Sequence, residues 1–160
     1  MTDITRRTFG ASLLGALAAA PALASEDQAP GRVRIGRLSE LETGEPVMFT
    51  WPEPHLGILV KLDRAAEFGV GPNDSVVAYH VACPHMGCPI LSTAKDRLAK
   101  GEFGPCGCHE SLFDLTAHGR QIYGRASQDL VRVELEVSGD DVYATAVVGV
   151  PFGEALRLPR

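Results

Sequence analysis

The sequence is short of basic charge, of length and of any long apolar run, and each shortage removes a class of function. Fifteen Lys and Arg against 20 Asp and Glu leave a formal net charge of −5 at pH 7. Such a chain carries no basic footprint for nucleic acid. At 160 residues it suits one domain, because a single core is expected below about 250 residues, and no room is left for a separate catalytic domain. No long helical period, internal repeat or low-complexity tract is present. The apolar run over residues 10–20 is shorter than the about 20 residues of a membrane span and is interrupted by Pro21. The hydrophobic fraction, 45%, is ordinary for a folded protein, so a normal core is within reach.

What is present is concentrated between Cys83 and Asp114, which hold all four cysteines and two of the five histidines. One box reads Cys83-Pro84-His85-Met86-Gly87-Cys88, and a second reads Cys106-Gly107-Cys108-His109-Glu110-Ser111. A Cys-x-His pair and a Cys-x-x-His pair supply two thiolates and two imidazoles. Zinc competes for such residues, but structural zinc boxes favour Cys-x₂₋₄-Cys and His-x₃₋₅-His spacing. A purely structural pair of disulfides is plausible in an exported protein yet leaves His85 and His109 unexplained. His55, His80 and His118 match no box position and read as surface or core histidines. The two-thiolate, two-imidazole set is that of a 2Fe-2S centre with Cys₂ on one iron and His₂ on the other, and in these boxes the chain resembles the Rieske family.

The resemblance implies a 2Fe-2S cofactor held by Cys83, His85, Cys106 and His109, each box giving one ligand to each iron. Replacing two thiolates by neutral imidazoles makes reduction easier, and such centres sit at roughly −150 to +300 mV against about −400 mV for plant-type clusters. It also implies a disulfide between Cys88 and Cys108. In high-potential relatives a Ser hydroxyl donates to a bridging sulfide and a Tyr hydroxyl to a cysteine ligand. Ser111 matches the first of these positions, and Phe113, without a hydroxyl, occupies the second. Glu110 stands where Gly is frequent and adds negative charge beside His109, so an intermediate potential is expected. No substrate catalysis is expected from this chain alone.

The body of the chain reads as all-β. Alternating or short apolar runs at residues 32–38, 46–51, 56–62, 75–82, 112–115, 120–123, 130–137 and 142–148 are separated by Gly, Pro, Asn and Asp turns. Residues 64–68 suggest a helical turn, and 95–101 a solvated turn or short helix. Ile90 and Leu91 are expected behind the cofactor, and 151–160 is expected as a tail across a surface or partner. The pattern argues for a sandwich or barrel. The family resemblance implies a Rieske fold, an antiparallel base domain with a small cluster-binding subdomain inserted at about 82–124.

At the N-terminus, Thr5-Arg6-Arg7-Thr8-Phe9, an apolar run and Ala22-Leu23-Ala24 resemble a twin-arginine export signal over residues 1–24, ahead of a mature domain over 25–160. A periplasmic address is expected, with membrane attachment only if the leader is retained as an anchor. The leader, the cysteine pair, Phe113 and the stretch Gly124-Arg125-Ala126-Ser127-Gln128-Asp129-Leu130 together resemble the small subunit of arsenite oxidase. That resemblance implies a large molybdopterin subunit with a 3Fe-4S cluster as partner and a cytochrome c or cupredoxin as acceptor. Two alternatives stay open: the Rieske subunit of a quinol-cytochrome c oxidoreductase, which would favour Tyr at 113, and a stand-alone Rieske electron carrier.

Overall fold

The computed structural model describes residues 31–91 and 93–153. The expected leader over 1–24 and the last part of the expected tail, 154–160, lie outside the described residues.

Among the described residues nine strands and one short α-helix are formed: β1 (Val33–Arg37), β2 (Val47–Thr50), β3 (Leu56–Lys61), β4 (Val76–His80), α1 (Lys95–Ala99), β5 (Glu102–Phe103), β6 (Leu112–Asp114), β7 (Arg120–Tyr123), β8 (Arg132–Ser138) and β9 (Asp141–Val148). They make a six-stranded sheet in the order β1-β9-β8-β4-β3-β2 and a three-stranded sheet in the order β5-β6-β7. Every strand pair is antiparallel. The small sheet is built wholly from chain lying between β4 and β8.

The apolar run of β3 is explained by burial on both faces. Ile58 and Val60 point with Val77 and Tyr79 of β4 toward the small sheet, where they meet Leu98, Phe103, Phe113 and Leu115. Leu59 points the other way, with Val76, Ala78, Val133 and Val142, into the core of the large sheet. Because side chains alternate along a strand, two cores share β3 and β4 as a common wall. Tyr79 crosses this wall most firmly: its ring is fully buried and its hydroxyl donates to the Leu115 carbonyl at 3.0 Å. Burial pushes the Tyr79 phenol well above its ordinary range.

Three local expectations are corrected. No helical turn forms over 64–68, because the Ala66 and Glu67 amides donate to Asp74 and Thr116 carbonyls across the loop, and Phe68 takes a φ of 61°. Leu130 precedes β8 and packs between the sheets, which is why it breaks that strand's alternation. Ile90 is buried behind the boxes, whereas Leu91 is 64% exposed. Ile90 N–H donates to the Val81 carbonyl, fixing an extended backbone whose next side chain faces outward. Among the described residues no helix is long and apolar enough to cross a membrane.

Candidate metal centre

The two boxes fold into loops of the same shape. In the first, which follows β4, Gly87 N–H donates to the Cys83 carbonyl at 2.8 Å and Cys83 N–H to the Cys88 carbonyl at 2.9 Å. In the second, between β5 and β6, Glu110 N–H donates to the Cys106 carbonyl at 2.9 Å and Cys106 N–H to the Ser111 carbonyl at 2.8 Å. Both turns need a left-handed residue four places after the cysteine. Gly87 supplies it with φ 75°, and Glu110 supplies it with φ 58°. Glycine adopts that conformation freely, whereas glutamate does so at a cost.

The loops bring the donors together as two pairs, one of thiols and one of imidazoles. Cys83 and Cys106 are free thiols, each 1% exposed. His85 and His109, part-buried, cross edge to face with ring centroids 4.6 Å apart and their Nδ1 atoms 3.2 Å apart. Metal–nitrogen bonds of about 2 Å across a tetrahedral angle place two ligand nitrogens about 3.3 Å apart, so the imidazole pair is already at ligand spacing. Burial raises the Cys83 thiol, the Cys106 thiol beside it adds to the rise, and the His85 backbone N–H and the Ser111 hydroxyl pull it back. Two adjacent buried thiols cannot both ionise without a cation between them. A cationic iron site meets that need, and the donor set fits it.

The other two cysteines are joined as a Cys88–Cys108 disulfide that ties the tip of one loop to the other. Their sulfurs lie with that of Cys106 within 4.8 Å of one another. This trio is not a ligand set, because disulfide sulfurs carry no charge; the bridge simply covers the Cys106 thiol. The ring of Phe152 lies against Gly87 from the outside, so the described start of the expected tail runs over the first loop.

Ser111 and Phe113 are both fully buried. Phe113 pairs with Phe103 across β5 and β6 and shares a core with both free thiols. Ser111 accepts hydrogen bonds from the Arg125 and Ala126 amides. No sequence signal marks that contact, because it joins residues 14 and 15 positions apart through a loop with no periodic pattern. The remaining histidines stand apart: His55 stacks on buried His80 with centroids 5.2 Å apart, and His118 bonds Glu67 at 2.8 Å, away from the boxes.

The family model for the Rieske [2Fe-2S] domain matches residues 31–137. The iodate reductase subunit IdrB of Denitromonas iodatirespirans is 48% identical over 146 residues, covering 89% of this chain and 76% of that protein. The iodate reductase subunit IdrB of Pseudomonas sp. (strain SCT) is 46% identical over 124 residues, 76% of this chain and 63% of that protein. Among solved structures, the soluble domain of the Rieske protein II from Sulfolobus acidocaldarius superposes with a TM-score of 0.65 at 21% identity, covering 81% of this chain and 83% of that one. At that identity the likeness speaks for the fold alone.

Proposed function

The chain belongs to the Rieske [2Fe-2S] domain family, and on that premise we propose that it holds its cluster through Cys83, His85, Cys106 and His109 and serves as the electron-transfer subunit of an iodate reductase-like oxidoreductase. A bound Rieske cluster supplies a reversible one-electron step. The protein's residues set the direction of access. The thiols lie in the core, while the part-exposed imidazoles form the outward edge, through which a partner's redox centre is approached. The observation that carries the subunit role is the 48% identity to an iodate reductase subunit along 89% of the chain.

The proposed partners are a large molybdopterin-containing catalytic subunit on one side and a cytochrome c or cupredoxin on the other. A second reading, the small subunit of an arsenite oxidase, is favoured by the stretch Gly124 to Leu130. Both readings use the same relay and differ in the partner's substrate and in the net direction of electron flow. The test is to purify the native complex and follow the reduced-cluster signal. Oxidation of the reduced cluster by iodate supports the first reading, and reduction of the oxidised cluster by arsenite supports the second. A complex that contains the large subunit and answers to neither rejects both.

Export to the periplasm by the twin-arginine route is proposed from the leader. Replacing Arg6 and Arg7 by Lys is expected to leave folded, cluster-containing precursor in the cytoplasm. Continued delivery of the doubly substituted protein by the folded-protein route would refute that address.

A further inference from the structure

The two loops match in backbone and differ in what covers them. Gly87 and Glu110 hold the same left-handed place, each donating its N–H to the carbonyl of the cysteine four residues before it. Glu110 shows that this place accepts a side chain, and its own is exposed, whereas Gly87 is half-buried. The turn alone does not demand glycine at 87. A ring does: a Cβ at Gly87 would stand 2.5 Å from Cε1 of Phe152 and 3.1 Å from its Cγ, well inside van der Waals contact.

The ring arrives on a segment that is tied down before it reaches the loop. Val148, at the end of β9, pairs with Arg132 of β8. Gly149 then lies over Val131, where a Cβ would stand 3.4 Å from the Val131 side chain, and Pro151 is buried. The proline also fixes its own φ, which stiffens the run into residue 152. Phe152 is 50% exposed, one half of it covered by the loop and the other open. Pro84, on the opposite arm of the loop, shares a cleft with Val150, Pro151 and Phe152.

We propose that residues 149–153 are a strap over the first loop: the Phe152 ring, seated where Gly87 lacks a side chain, holds the turn from Cys83 to Cys88 closed from the outside and acts on that loop alone. Opening this loop requires the strap to lift, so the end of β9 and the first box move as one unit. The inference stands on the protein's own contacts, whatever the boxes hold.

The experiment compares the two loops in the native full-length protein, in Phe152→Ala, in Gly87→Ala and in the double substitution. Hydrogen exchange is read by mass spectrometry on peptides over 83–91 and 106–114, and iron is measured in each protein. Phe152→Ala is expected to lower the protection of the first loop roughly fivefold, the factor that half of a Phe side chain's burial is worth, and to leave the second loop unchanged. Phe152→Tyr, which keeps the ring, should restore native protection. Gly87→Ala should cost the first loop more protection with the ring present than in the Phe152→Ala background, because its methyl group competes for the ring's place. Losses equal in both loops, no loss in the first, or a Gly87→Ala effect independent of residue 152 overturns the strap. Should Gly87→Ala not fold, the contrast between the loops in Phe152→Ala decides. Should Phe152→Ala lose its iron, Phe152→Leu, which keeps part of the cover, takes its place: a smaller loss confined to the first loop supports the strap, and one shared by both loops, or none, overturns it.

Discussion

Glu110 shows how one residue can act on both backbone and charge. It occupies the left-handed position that Gly87 fills in the matching loop, with φ 58°, and its side chain is exposed beside His109. A non-glycine residue in that conformation costs about 1–2 kcal/mol, and the greater chain entropy of glycine returns about 0.5–1 of it. Glu110→Gly is therefore expected to stabilise the protein by on the order of 0.5–1 kcal/mol in urea unfolding. It should also raise the reduction potential, since a negative charge near the cluster is removed; a fall would show that the carboxylate is not felt there. At residue 113 the expected effect comes from an added donor. Phe113 is fully buried in the core that contains both free thiols, so Phe113→Tyr brings a hydroxyl with few partners other than sulfur. An upward shift of tens of millivolts is expected, about 59 mV matching each tenfold change in the equilibrium constant. Voltammetry that finds no shift in the intact protein would place the para position away from the ligands.

Two elements carry predictions of their own. Tyr79 in β4 bonds the carbonyl of Leu115, the residue that follows β6, joining the large sheet to the small one. Tyr79→Phe leaves that buried carbonyl without its donor, and a loss of about 1–3 kcal/mol is expected in chemical unfolding. The pairing of β1 with β9 is expected to depend on acid. Asp141 is held below the ordinary carboxylate range by hydrogen bonds from Arg34 first and Arg37 second, each at 3.2 Å. A depressed folded value means that the contribution is fully present above the unfolded value of about 3.9, and is lost as pH falls through the lower folded value. The protection of the β1 amides, with the intrinsic pH dependence of exchange divided out, should fall at acid pH in the native protein. In Asp141→Asn that fall should be smaller, the remainder coming from Asp140, which Ser39 also holds below the ordinary carboxylate range.

At the scale of the molecule, the centre exists only because two loops from different parts of the chain are closed on one another. Loop one is carried by β4 and loop two by the small sheet, and the Cys88–Cys108 bridge joins them across 20 residues of sequence. Cys88→Ser is expected to cost about 2–5 kcal/mol and to speed loss of iron on dilution into chelator. Equal iron retention in the substituted and native proteins would show that the shared core between the sheets holds the loops without the bridge.

The candidate donor set was legible in the sequence because ligand chemistry is local: Cys83-x-His85 and Cys106-x-Cys108-His109 carry their meaning in residue type and spacing. So were the strands, since side-chain alternation and turn residues are properties of neighbouring positions. The β-fold followed from them. What the sequence could not place was any contact whose two ends are far apart along the chain. A strand starting at Leu130 is what the apolar pattern suggests, whereas pairing begins two residues later, at Arg132, and an inward Leu91 is what its apolar character suggests, whereas the pairing of residue 90 with Val81 turns it outward. The Ser111 contact is the clearest case. The sequence alone determined that a hydroxyl stands after the second box; the tertiary structure decided which backbone amides it accepts from, because Arg125 and Ala126 arrive by loop closure and no local pattern encodes their approach.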